Sequence, residues 1–326
     1  MLNDNFISKY SEMEKPEREF VIKQIQKYKP KKILTVGIAA GVNEVLILDY
    51  LDKNDLIYAT KLYSIDYNTI YYRDLYSNAP NPRKSGFLVE ELIPHLQQYW
   101  SLYTPGITAS HIEKIGGDID FCIIDTVHSA PGEALDFLMV LPFLSDNAII
   151  IMHDLVFQCF WDKHSNICAL LFMIFDGQKE FPKPYPYTPY GIGYDVILDT
   201  TKDLCQNIGS CQINKKHYLS DDFLDKYFKI FLFPWTYIPK EVDLEIFKNF
   251  IAKHFQKKYL ELFEEAIKMQ YKWTADEEKE QNKYRDQEIN KIKNYLSYKL
   301  GNLLIKHPFT FVFRVARVYR EWKRGR

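Results

Sequence analysis

The chain has no apolar run approaching the length of a membrane span, so a helical membrane-spanning protein is not expected. Its cysteines, Cys122, Cys159, Cys168, Cys205 and Cys211, are odd in number and include no C-x-x-C pair. That argues against a disulfide framework or a zinc ribbon and suits reduced thiols in a cytosolic protein. Net charge is nearly absent, at −1 over 326 residues, so the surface is not coated for nucleic acid. Met1 to Glu19 is polar and charged with no signal-peptide pattern, and no internal repeat is visible. General disorder is excluded by a 47% hydrophobic content, enough for a packed core. The length fits one large domain with additions, or two.

The near-zero charge conceals a split. From Lys291 onward the chain carries +9, which leaves about −10 on the rest. After Pro308, Phe311, Val312, Val315, Tyr319 and Trp322 share a helical face, while Arg314, Arg317, Arg320 and Arg324 occupy much of the remainder. A basic amphipathic helix with aromatics on its apolar side suits an anionic membrane surface. Packing against the body or a second subunit would use the same face.

The organising stretch is Lys31 to Glu44. Ile33 to Val36 reads as a short buried strand, followed by a turn of small residues and a helix to about Leu51. A strand, a Gly/Ala turn and a helix place backbone N–H groups beside a ligand across the strand's carboxyl end. Gly37 and Gly41 allow close backbone approach, and Ala39 and Ala40 keep the turn narrow. Pro16 to Tyr28 is expected to be helical. Leu62 to Asp66 reads as a second strand ending in a carboxylate, placed to accept hydrogen bonds from ribose hydroxyls or to cap a turn.

Further on, Phe87 to Tyr99 looks helical, Trp100 to Tyr103 a strand, and Thr108 to Ile115 a helix capped by Thr108. Asp120 to Asp125 and Asn147 to Met152 are continuous apolar strands that close on Asp125 and on His153-Asp154, with a Gly132–Leu144 helix between them. Such runs between helices are what parallel strands covered on both faces look like. The alternation predicts an open, doubly wound α/β sheet, with Asp66, Asp125, His153 and Asp154 along its carboxyl edge, where ligands bind. Trp161 to Phe175 is expected to be helical, Phe181 to Pro189 a loop and Gly193 to Leu198 a late strand, after which the β signals fade. Leu244 to Trp273 is an amphipathic helix by its apolar spacing, serving core or dimer contact, and Asp276 to Glu288 is a polar helix or linker.

Taken together, Val36-Gly37-Ile38-Ala39-Ala40-Gly41, Ser64-Ile65-Asp66, Phe121 to Ser129 with its Asp125-Thr126-Val127-His128-Ser129 ending, and Ile151-Met152-His153-Asp154 resemble the class I S-adenosylmethionine-dependent methyltransferases. The similarity lies with sugar O-methyltransferases of surface-glycan and macrolide pathways, and it covers roughly Lys31 to Leu198. It implies a mostly parallel Rossmann-like sheet with a helical C-terminal extension. The domains would be residues 1–200 for the cofactor, 201–273 as a helical elaboration, and 274–326 as polar helix and basic tail. It implies the methionine end of S-adenosylmethionine at Gly37, Ala39 and Gly41, ribose on Asp66, adenine near Thr108, and Asp125 beside the cofactor. In metal-using relatives, carboxylates matching Asp125 and Asp154 hold a divalent ion, so Mg²⁺ or, with His153 adjacent, Mn²⁺ is a candidate. Thr35 stands where an acid often opens the first motif.

Methyl transfer to a hydroxyl needs positioning and removal of a proton, and imidazole titrates near neutral pH. His153 and His128 are therefore the candidate bases, with Asp154 completing the catalytic set. The acceptor expected is a carbohydrate or glycolipid precursor, handled in the cytoplasm or at the inner face of the membrane. Competing readings are a glycosyltransferase, a nicotinamide-dependent sugar oxidoreductase on the glycine turn, and a non-catalytic scaffold. For the first, Asp118-Ile119-Asp120 precedes its strand and so falls at the wrong edge for a sugar nucleotide. For the second, the only late Y-x-x-x-K, Tyr295 to Lys299, lies in the tail, far from any active-site strand.

Overall fold

The computed structural model describes residues 4–155, 167–183 and 207–294, together with Lys323. The chain opens with helices α1 (Asp4–Ile7) and α2 (Lys15–Tyr28), then strand β1 (Lys32–Val36), α3 (Val42–Lys53) and β2 (Lys61–Ile65). It continues through α4 (Tyr72–Tyr76), α5 (Phe87–Leu92), β3 (Trp100–Tyr103), α6 (Thr108–Ile115), β4 (Ile119–Ile124), α7 (Gly132–Val140) and β5 (Leu144–Met152). Then come α8 (Ile167–Ile174), β6 (Gln178–Glu180), β7 (Gly209–Gln212), α9 (Lys215–Tyr218), α10 (Asp221–Tyr227), α11 (Glu241–His254) and α12 (Lys257–Asn294).

The strands form one seven-stranded sheet in the order β3-β2-β1-β4-β5-β7-β6. Neighbours from β3 to β5 run parallel, and β7 is antiparallel to both β5 and β6. This is the expected doubly wound arrangement, and its cause is visible in the strands. Alternate side chains leave a strand on opposite faces. Ile33, Phe121, Ile123, Ile149 and Ile151 enter a core shared with α2, α3 and α5. Leu34, Val36, Cys122, Ile124, Ile150 and Met152 enter a second core with α6, α7, α8, α10 and α11. Both faces are covered, so the runs carry no polar alternation.

Four details differ from the sequence expectation. Phe87–Tyr99 is not one helix: α5 ends at Leu92 and a 3₁₀ turn over Pro94–Tyr99 follows, because proline cannot donate the next helical bond. The Gly132–Leu144 helix likewise gives way at Val140 to a 3₁₀ turn over Leu141–Phe143, with proline at its start. The single helix expected over Leu244–Trp273 is two, broken where Phe255 takes an extended backbone between α11 and α12. The buried residues on either side of the break, such as Ile251 and Tyr259, face the same core, so the spacing alone does not betray it. The sheet also continues beyond Asp199. Strand β7 is composed of Gly209-Ser210-Cys211-Gln212, without the branched residues that mark a strand, and the Phe172 ring fills the space a side chain at Gly209 would need. The strand expected at Gly193–Leu198 lies outside the described residues.

Contacts divide the chain into units 1–267 and 268–326. The first holds the whole sheet; the described part of the second continues α12. No helix among the described residues is long and apolar enough to cross a membrane.

Candidate active site

The turn after β1 owes its glycines to the protein's own backbone. Gly37 has φ +82°, and a Cβ there would lie 1.9 Å from the Asp125 carbonyl oxygen. Gly41, at φ +88°, faces the Gly86 Cα, which would stand 2.9 Å from a Cβ. Asp66, at the tip of β2, is 9% exposed and clasps this turn. Its Oδ2 accepts from the Ile38 and Ala39 amides at 3.1 and 3.2 Å, and its Oδ1 accepts from Asn68 N at 2.8 Å. Burial raises its carboxyl above the ordinary value, and these three N–H donors offset part of that rise. A carboxylate offers about four acceptor positions, so roughly one remains for a ligand hydroxyl. Beneath the turn lies a buried polar network. Thr35 donates to Glu44 at 2.7 Å, and Trp100 Nε1 donates to Ser64 Oγ, which stands 2.6 Å from the Thr35 hydroxyl.

Thr108 does not cap α6: the preceding residue, Ile107, takes that position, and the Thr108 side chain is buried. Its hydroxyl donates to Asp136 Oδ1 at 2.7 Å, while Asp136 Oδ2 accepts from Thr126 at 2.9 Å. The Thr108 hydroxyl is thus occupied inside the protein.

At the tips of β4 and β5 four predicted residues converge. His153 is 2% exposed, with Nδ1 3.1 Å from Asp125 Oδ1 and 3.4 Å from Asp154 Oδ2. Its Nε2 lies 3.2 Å from Glu17 Oε2, contributed by α2. His128 Nε2 lies 3.0 Å from Asp154 Oδ2 and 3.7 Å from Asp125 Oδ1. Asn207 donates to Asp154 Oδ1 at 2.8 Å. Glu133, in the first turn of α7, accepts from the His128 and Ser129 amides and fixes the turn that carries His128. Ala39, His128 and Asp154 all have positive φ, of 48°, 52° and 53°, a conformation that costs about 1–3 kcal/mol for a residue with a side chain. The turn and both strand tips thus each carry a strained residue, as Lys29, Asp55, Asn78 and Asp118 do elsewhere in the chain.

The electrostatics follow from the pairing. Burial disfavours a charged His153, but Asp154, Asp125 and Glu17 overcome it and hold the imidazole protonated well above its usual range. The same contest leaves His128 raised, with Asp154 its strongest carboxylate partner. Burial alone would raise Asp154, yet the two imidazoles pull it well below the ordinary carboxylate value. Glu133 is pushed up to about 7 by burial. Since His153 meets carboxylates at both ring nitrogens, neither is open to an acceptor hydroxyl. His128, whose side chain is 21% exposed, stands nearer the solvent.

Gly37, Asp66, Asp125 and Asp154 thus lie along one edge of the sheet, following β1, β2, β4 and β5. Asp120 of the D-x-D is at the opposite edge, where its carboxylate accepts from the Lys31 and Lys32 amides at 2.9 Å each. Tyr295 to Lys299 and the basic tail lie outside the described residues. Glu17, Glu133 and Asn207 are site residues that sequence reasoning missed. An acid opening α7 carries a signal, because carboxylates favour helix N-termini. Nothing in the sequence links Glu17 to a histidine 136 positions away.

Residues 34–155 match a family model described as a methyltransferase domain. No curated protein matches the sequence. Among solved structures, a SAH-bound methyltransferase of Podospora anserina is 13% identical, with 64% of this chain and 87% of that one covered and a TM-score of 0.41. An O-methyltransferase of Streptomyces achromogenes involved in tomaymycin synthesis, in complex with SAM, is 10% identical, covering 65% and 91%, with a TM-score of 0.43. An O-methyltransferase of Bacillus cereus in complex with SAH is 10% identical, covering 65% and 92%, with a TM-score of 0.42. Likeness this loose assigns no residue a role.

Proposed function

We propose that the methyltransferase domain at residues 34–155 transfers the methyl group of S-adenosylmethionine to a hydroxyl of a carbohydrate or glycolipid precursor. The observation that carries this reading is the joining, on one sheet edge, of a clasped glycine turn and a buried Asp–His cluster. The turn fits the cofactor: its glycines and small residues let a ligand approach the backbone closely, and the acceptor position left on Asp66 suits a ribose hydroxyl. When bound, S-adenosylmethionine supplies an electrophilic methyl group on a sulfonium. Gly37, Ala39 and Gly41 hold the backbone close to the amino-acid end, and Asp66 takes a ribose hydroxyl. The Asp154–His128 pair receives the proton of the acceptor hydroxyl. Asp125, His153 and Glu17 act behind it, fixing the orientation of Asp154 and excluding water.

The two carboxylates do not fit Mg²⁺ or Mn²⁺. Asp125, His128 and Asp154 bring their donor atoms within 4.8 Å of one another. The buried His153 already brings positive charge between Asp125 and Asp154 and is pinned from behind by Glu17. A hard cation there would need further oxygen ligands and would face that imidazolium.

The experiment is a thermal-shift series followed by methyl transfer. S-adenosylhomocysteine should stabilise the protein, whereas UDP-sugars and NAD(H) should not. Asp66→Ala should abolish that shift, and Asp154→Ala should keep it while stopping incorporation of labelled methyl into a glycan or glycolipid fraction. Absence of any shift with S-adenosylhomocysteine, or full turnover by the Asp154 variant, refutes the assignment. Label found only in protein or nucleic acid refutes the acceptor class. We further propose that the segment after Pro308 holds the chain to anionic membrane surface.

A further inference from the structure

The side of His128 turned away from Asp154 meets a second set of donors. Nδ1 lies 3.6 Å from Glu133 Oε1. Cys168, at the start of α8, completes a trio whose ligand atoms all lie within 4.8 Å of one another. Glu133 and Cys168 are each 1% exposed, and the methyl-transfer reading gives the thiol no task. Imidazole nitrogen, thiol sulfur and carboxylate oxygen together form the donor set of zinc-like ions, unlike the all-oxygen set that magnesium prefers.

Spacing and orientation support the same conclusion. A tetrahedral ion with bonds of about 2.0–2.3 Å needs ligand atoms roughly 3.3–3.8 Å apart. The His128–Glu133 pair already stands at that separation, and Cys168 would approach by no more than about an ångström. A histidine that coordinates through one nitrogen usually donates its other N–H to a carboxylate, which fixes the tautomer. Asp154 Oδ2, 3.0 Å from Nε2, stands within reach of such an N–H, a pairing that would leave the Nδ1 lone pair facing Glu133 and Cys168.

We propose that His128, Glu133 and Cys168 form a binding site for a thiophilic divalent cation, with Zn²⁺ as the reference ion and Asp154 as the residue that orients His128. The metal–sulfur bond forms as the thiol proton leaves to solvent. Three protein ligands leave one position of a tetrahedral ion open. The site shares His128 and Asp154 with the proton-accepting pair proposed above, but Glu133 and Cys168 take no part in methyl transfer, so cation binding is tested without reference to that reading.

The test is titration of the full-length protein with Co²⁺, which reports tetrahedral geometry in its visible bands and a sulfur ligand in its near-ultraviolet charge-transfer band. The wild type should take one equivalent, develop both signals and lose them to added Zn²⁺. Cys168→Ser should remove the charge-transfer band, whereas Cys122→Ser and Cys211→Ser should retain it. Where Cys168→Ser does not fold, Cys168→Ala is measured in its place, since it removes the sulfur without burying a hydroxyl. Asp154→Asn should weaken Co²⁺ binding by about tenfold or more, as the loss of an orienting carboxylate does elsewhere. No charge-transfer band in the wild type, or a band that survives loss of Cys168, overturns the site. Undiminished affinity in Asp154→Asn overturns the orienting role.

Discussion

Glu44→Gln is the substitution with the most definite consequence. Glu44 sits in the first turn of α3, 1% exposed, with Oε1 accepting from Thr35 at 2.7 Å and from Ser64 at 3.3 Å. Oε2 has no hydrogen-bond partner among the described residues. Burial raises the carboxyl from 4.5 to about 7; the Thr35 and Ser64 hydroxyls oppose that rise, and the charge of Asp66 adds to it. The folded protein therefore holds this proton more tightly than the unfolded chain. Stability from this group is complete below about pH 4.5 and falls as pH climbs through about 7. A shift of roughly 2.5 units corresponds to about 3 kcal/mol between the two limits. Glutamine keeps an oxygen for Thr35 and cannot ionise, but its amide N–H groups lack acceptors, at a cost of about 1–2 kcal/mol at every pH. That cost cancels when variant and wild type are compared at two pH values. Urea unfolding at pH 5 and pH 8 should show Glu44→Gln gaining about 2.5 kcal/mol on the wild type between them, since pH 5 already lies above the unfolded value, or about 5 °C in Tm. Parallel behaviour of the two proteins, within about 0.5 kcal/mol, would refute the buried-carboxylate argument.

Gly37→Ala should destabilise by at least about 3 kcal/mol, combining left-handed strain with overlap on the Asp125 backbone, whereas Gly117→Ala, with open space around it, should lie within about 1 kcal/mol of wild type. Equal melting temperatures for the two would show that the turn does not need its glycine. Removing the residues after Pro308 should lower co-sedimentation with anionic vesicles and leave S-adenosylhomocysteine binding intact; unchanged sedimentation would eliminate the membrane proposal.

The parts of the fold that were legible are those where one local pattern has one physical cause. The runs around Ile33, Phe121 and Ile149 are apolar on both faces because helices cover both, and that requirement leads directly to a parallel sheet with Asp66, Asp125 and Asp154 at one edge. What escaped was set by tertiary context. Strand β7 is held by its pairing with β5 and β6 rather than by propensity. The same limit applied within the site. His153 and His128 read alike as candidate bases, and their environments are separated by Glu17 and Asn207, remote in sequence, on one side and by Glu133 on the other. Glu17 does its local work as well, closing a capping box at the start of α2, so its pattern advertised a helix terminus and nothing more.

The grip of Asp66 on the Ile38 and Ala39 amides makes one side chain answerable to two neighbours. In the proposed complex, a sugar hydroxyl on the remaining acceptor position would share that carboxylate with the amides that shape the loop, so occupancy at the nucleoside end would be felt by the cradle proposed for the amino-acid end. Fragments such as adenosine and methionine should accordingly bind with mutual influence, although they never touch.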